Sequence, residues 1–160
     1  MSASVEHLSA EDRLLTFEVA GDLYALPISG VLEVADAGRL TCIPTLPTSV
    51  GGVINHHGDA LPVLGCASLF DVNEDELGEP GSILVVSGRV GESARLGIPI
   101  DRVLGLVDGA AAAMSGAQAV AERRSIQGRV ASVLDPQRLV GQAREVIESS
   151  LGRRDQTQGG

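Results

Sequence analysis

The stretch from Ile43 to Leu64 reads Ile-Pro-Thr-Leu-Pro-Thr-Ser-Val-Gly-Gly-Val-Ile-Asn-His-His-Gly-Asp-Ala-Leu-Pro-Val-Leu and constrains the fold more than any other. Pro44 and Pro47 hold its entry extended, and Gly51-Gly52 frees the backbone. Val53-Ile54 and Ala60 to Leu64 then form two short apolar runs around Asn-His-His-Gly-Asp, which predicts a β-hairpin. Gly58 suits the positive φ of a short loop. Pro62 has no N–H for a ladder, so its strand is expected at a sheet edge or at a bulge.

Period-2 patterning extends both ways from this block. Leu15, Phe17 and Val19 alternate with Thr16, Glu18 and Ala20; Gly21-Asp22 turns the chain into Leu23 to Ile28, and Val31 to Val34 is another short strand. Leu64 to Phe70 loses the alternation and suits a helical turn, and Asp71 to Gly81 is an acidic loop rich in breakers. Ser82 to Ser87, Ala94 to Ile100 and Arg102 to Val107 repeat the strand pattern. Asp108 to Ala121 is rich in Ala and Gly and determines little. Gln127-Gly128 turns a polar strand, Val120 to Ile126, into Arg129 to Leu134. Many short strands favour small closed barrels over a flat sheet with long open edges.

Asp135-Pro136 reads as an N-cap followed by Pro at the first helical position. Leu139, Val140, Ala143, Val146, Ile147 and Leu151 follow on one helical face. Gly152 is expected to stop this helix. The expected organisation is one domain over 12–151, with a first subdomain at about 14–70, a second at about 82–134 and the helix at 135–151. Residues 1–11 and 152–160 are expected to be flexible.

Charge and composition exclude several classes of function. With 21 acidic against 12 basic residues, the net charge of -9 opposes nucleic acid and anionic lipid. Phe17, Tyr24 and Phe70 are too few for base stacking. No run has the length of a signal peptide or a membrane span, so a cytoplasmic chain with no membrane insertion is expected. Cys42 and Cys66 lack a repeated spacing and read as small buried hydrophobes.

His56 and His57 invite a metal reading, but no second ligand cluster stands at the right spacing. Glu74-Asp75-Glu76 lacks the calcium-loop pattern and reads as a solvated loop. No phosphate-binding loop, nucleophile elbow or assembled acid–base set is present. The expectation is therefore no enzyme, no catalytic residue, no metal and no cofactor.

Taken in order, the hairpin block, Phe17 to Ile28, Val31 to Val34, Gly97 to Val107 and Val133 to Leu139 resemble the CheW-like domain, the adaptor fold of bacterial chemotaxis. The family's usual form is Pro-x-x-Pro, Gly-Val-Ile-Asn-Leu-Arg-Gly and a Val-Pro-Val-Ile-Asp strand. The resemblance covers roughly 14–150. It implies an all-β fold with a C-terminal helix, built as two SH3-like five-stranded β-barrels. It also implies a chemoreceptor cytoplasmic tip and the regulatory domain of a CheA-type histidine kinase as partners, with other CheW-like proteins as further ones. By resemblance, Val31, Glu33, His57 and Val103 are receptor-binding candidates, and Leu40, Ile43 and Gly52 are kinase-binding candidates.

The chain departs from that pattern where it is most diagnostic. His56 and His57 stand for Leu-Arg, and Gly65 replaces the closing Asp. The family pairs the hairpin Arg with the strand Glu, so His57 is expected to face Glu33, with a shorter reach and fewer donors than Arg. The alternatives to a coupling adaptor are a divergent member that binds receptors but not the kinase, and a kinase regulatory module acting in trans.

Overall fold

A computed structural model describes residues 13–42, 50–65, 69, 74–88, 91–109 and 120–159, with side chains in the last helix placed as far as 149. Among the described residues, ten strands form two five-stranded sheets. They are β1 (Arg13–Val19), β2 (Asp22–Pro27), β3 (Val31–Asp36), β4 (Val50–His56), β5 (Asp59–Leu64), β6 (Ser82–Val86), β7 (Leu96–Ile100), β8 (Arg102–Asp108), β9 (Val120–Ile126) and β10 (Arg129–Leu134). One helix, α1 (Pro136–Gly159), follows. One sheet runs β8-β1-β2-β10-β9 and the other β3-β6-β7-β5-β4.

The expected division at the acidic loop is not how the strands group. The second sheet is continuous in sequence, from β3 to β7, but the first is made from both ends of the chain, with β2 pairing in parallel with β10. Non-local pairing of this kind leaves no trace in strand periodicity. The two sheets share one topology, with β8, β9, β10, β1 and β2 taking the places of β3, β4, β5, β6 and β7. The chain is thus a circularly shifted duplicate. Leu26-Pro27-Ile28 leading to Val31-Leu32 matches Ile98-Pro99-Ile100 leading to Val103-Leu104.

Strand faces sort the core into three parts. Leu14, Leu23, Ala25, Ile126, Ala131 and Val133 fill the first sheet's own interior, and Ala35, Ile54, Leu61, Val63, Ile83 and Val85 fill the second's. The alternate residues, including Leu15, Phe17, Tyr24, Leu26, Leu84, Val86, Leu96 and Ile98, meet in a shared core between the sheets. This explains why Ile83-Leu84-Val85-Val86 is apolar throughout: both of its faces are buried.

Each of the four edge strands carries one extra residue in its ladder: Leu32 in β3, Gly51 in β4, Leu104 in β8 and Ala121 in β9. Such bulges break the regular edge that would template pairing with another chain.

Pro62 lies elsewhere than expected. Strand β5 sits between β7 and β4, and the nearby bulge belongs to β4. Val53 exchanges both its backbone bonds with Thr41, at 2.9 and 2.8 Å, so its partner Pro62 directs its nitrogen away from β4. On that other side β5 meets β7 only at Val63–Gly97, and no ladder bond is lost.

The tip of the β4–β5 hairpin is a two-residue turn with φ of 51° at His57 and 88° at Gly58; Asn55 Oδ1 accepts from Gly58 N at 2.9 Å. Ala20-Gly21 and Gln127-Gly128 repeat this left-handed geometry. Gln127 is exposed and pays for a φ of 50° that Asn adopts more readily. Gln127→Asn is expected to stabilise the protein by up to about 1 kcal/mol, seen as a higher urea midpoint at unchanged slope.

The helix starts as expected: Asp135 Oδ2 accepts from Arg138 N at 2.9 Å. Leu139, Val140, Ala143, Val146 and Ile147 all pack on the shared core, while the Leu151 side chain lies outside those described. The helix does not stop at Gly152 but continues to Gly159. A helical Gly costs about 1 kcal/mol without forbidding the turn, and the residues after it include no Pro. Cys42 is exposed rather than buried, because it follows the Thr41 bridge at the open rim of the second sheet. Cys66 lies outside the described residues.

Candidate functional site

Strands β3 and β4 are the two ends of the second sheet, yet their side chains meet. The Glu33 carboxylate in β3 accepts from Arg39 Nη1 at 2.6 Å on one oxygen and lies 2.9 Å from His56 Nδ1 on the other. Arg39 also donates through Nη2 to the Asn55 carbonyl at 2.6 Å. With the Thr41–Val53 bridge, these contacts fasten one edge of the sheet to the other and curl it closed. The matching positions of the first sheet hold Gly105 and Ile126, which cannot form this polar clasp.

Arg39 reaches Glu33 because Asp36 starts a turn of 3-10 helix over Ala37–Arg39, its side chain accepting from Gly38 N at 2.7 Å. The expected facing of Glu33 by His57 is corrected. His56, the last residue of β4, holds the carboxylate; His57, rotated into the turn, sets its ring edge-on against His56 with centroids 4.2 Å apart. Strand alternation alone did not anticipate that contact, because His57 has left the strand. Among the described residues, no three His, Cys, Asp or Glu side chains gather as a metal-ligand set.

Hydrogen bonds from Arg39 and then His56 hold the Glu33 carboxyl below the usual glutamate range. On the first sheet, Arg129 and then Arg102 do the same to Glu18, at 2.9 and 2.8 Å, tying β1 to β10 and β8. Both groups bind fewer protons in the folded than in the unfolded state just below the free value of 4.5. Their stabilisation is complete above that value and lost as pH falls through the folded pKa. Melting temperature is expected to drop more steeply with acid in the parent than in a Glu18→Gln, Glu33→Gln variant; parallel curves would contradict this.

The other candidate positions separate into buried and exposed. Val31 and Val103 occupy matching places in β3 and β8, and both are half-buried against the shared core. Their neighbours are the exposed ones: Leu32 at 43%, Val34 at 45%, Leu104 at 43% and Leu106 at 50%. These four form two matching pairs, a signal carried by the internal repeat that strand-by-strand reading passed over. Leu40 is half-buried against the interior of the second sheet. Gly52 is buried, with φ of 155°, and a Cβ there would stand 2.5 Å from the Thr41 carbonyl oxygen and 3.0 Å from Leu40 Cδ1. It is a point of close backbone approach, next to Leu40 but not itself a surface. Ile43 lies outside the described residues.

The CheW-like domain model matches residues 13–144. Protein FrzA of Myxococcus xanthus is 36% identical over 97 residues, covering 60% of this chain and 58% of that protein. The chemotaxis protein CheW of Treponema pallidum is 30% identical over 95 residues, covering 57% and 54%. The matched segments thus span somewhat over half the length of these curated relatives. The scaffolding protein TtCheW of Thermoanaerobacter tengcongensis superposes with a TM-score of 0.63 at 21% identity, over 81% of this chain and 92% of that one. That likeness bears out the expected fold, two five-stranded β units and a C-terminal helix. The match across all ten described strands, together with the shared architecture, places this chain in the CheW-like domain family.

Proposed function

We propose that this chain is a non-catalytic cytoplasmic adaptor that couples a chemoreceptor tip to the regulatory domain of a CheA-type histidine kinase. The observation that carries this reading is the family match over residues 13–144 on a fold whose clefts hold no assembled nucleophile, base and orienting group among the described residues. The described helix is not apolar enough to cross a membrane, in keeping with attachment through partners. Receptor contact is assigned to the β3 and β8 region with Val31, Glu33, His57 and Val103. Kinase contact is assigned to the Leu40, Ile43 and Gly52 region.

The clasp supports an ordinary coupling role over the receptor-only alternative. The hairpin lacks the family's Arg, but Arg39 supplies Glu33 with a guanidinium from the other side. Since Val31 packs on the core, Val31→Arg is expected to disturb the fold as well as binding. Leu32→Arg and Leu104→Arg are cleaner probes: each is expected to weaken receptor binding by about 2 kcal/mol with little change in melting temperature. Pull-downs with a receptor tip and, separately, with a CheA-type kinase test the assignment. Receptor capture without kinase capture would favour the receptor-only reading, kinase capture alone the trans-acting module, and neither would defeat the proposal.

A further inference from the structure

The C-terminal helix borders an open groove of about 240 Å³ that none of the candidate adaptor positions lines. Leu96 and Ala143 are its buried floor and Val140 and Ile147 its half-buried walls, while the exposed Arg95 and Arg144 flank it. The groove carries two arginines and one glutamate in a chain whose net charge is -9. All twelve basic residues are arginines, in a chain with 21 acids, and Arg13, Arg39, Arg102, Arg124 and Arg129 each form an ion pair. Arg95 and Arg144, like Arg123 and Arg138, form none among the described residues, but these two share one apolar groove, with Glu148 on the same rim. Two exposed guanidiniums with no ion pair among the described residues, bordering an apolar hollow, suit a ligand that brings carboxylates and aliphatic groups together.

The shape narrows the occupant. Leu96 begins β7, which is flanked by β6 and β5, so no free strand edge is present for an added strand. Val140, Ala143, Arg144 and Ile147 form one stripe along α1, at the spacing that receives the side-chain ridge of another helix. We propose that this groove docks an acidic amphipathic helix of a partner protein, its aliphatic face over Leu96 and Ala143 and its carboxylates toward Arg95 and Arg144. Glu148 fixes the orientation by repelling those carboxylates from its end of the groove. This surface is independent of the receptor and kinase assignments.

The test uses two labelled peptides of about 15 residues, long enough to form a helix on binding, that share a leucine stripe and differ only in flanking Glu or Lys. Fluorescence anisotropy with the full chain is expected to show the Glu peptide binding at least about tenfold more tightly than the Lys peptide. The double variant Arg95→Glu, Arg144→Glu is expected to reverse that preference, and Arg144→Gln alone to weaken the Glu peptide several-fold. Both arginines are exposed and form no ion pair among the described residues, so neither variant is expected to change the melting temperature. No binding of either peptide, equal binding of both, or an unreversed preference in a folded double variant would overturn the proposal.

Discussion

Leu139→Ala is expected to lower the free energy of unfolding by about 2–5 kcal/mol, the range for emptying a fully packed aliphatic site. Leu139 is completely buried where α1 meets strands of both sheets, so its cavity opens in the one part of the core that holds the two halves together. The matching control is Val130→Ala, because Val130 is 68% exposed and its loss is expected to cost under about 0.5 kcal/mol. Urea unfolding of the two variants settles the comparison; similar midpoints would mean that the helix is not part of the core. Deleting the chain from Pro136 onward removes Leu139, Val140, Ala143, Val146 and Ile147 together and is expected to leave no cooperative transition.

Gly52→Ala is expected to cost about 2–4 kcal/mol, from a strained left-hand φ and a Cβ driven into the backbone of Thr41. The carbonyl it meets belongs to the bridge that closes the second sheet, so the clash is relieved only by parting Thr41 from Val53. Loss of kinase binding on substitution at Gly52 would then follow from displacement of Leu40 and its neighbours rather than from a lost contact. A control separates the two: Leu40→Ala, at a half-buried side chain, is expected to weaken kinase binding with a smaller drop in stability. A Gly52→Ala protein that melts with the parent would refute the close-approach account.

Much of the local structure was legible in the residues. The period-2 runs found the strands, Gly58 and Gly128 found the hairpin turns, and Asp135-Pro136 with its stripe of aliphatics found the helix and its buried face. These features depend on contacts only a few residues apart, which is the range over which propensity and periodicity act. The helix end was missed, since a single Gly weakens a helix by an amount that its neighbours can outweigh. The exposure of Cys42 was missed too, because whether a strand's flank is covered depends on what lies across from it.

The site was only partly readable, and the residues show why. The sequence by itself determined that Glu33 sits in a short apolar strand and must reach the surface or a partner, since burying an unpaired carboxylate is costly. It did not determine which partner. Arg39 is six positions away through a 3-10 turn and His56 is 23 positions away on the opposite edge of the sheet, and they meet on Glu33 only because the sheet curls closed. In the same way the sequence contained both copies of the Pro-Ile-x-x-Val-Leu pattern, but the pairing of β2 with β10 decided that the chain's two ends build one sheet. Periodicity is set by bonds along the chain, whereas partner choice is set by packing between distant segments. That packing half-buried Val31 and Val103 and left Leu32, Val34, Leu104 and Leu106 facing outward.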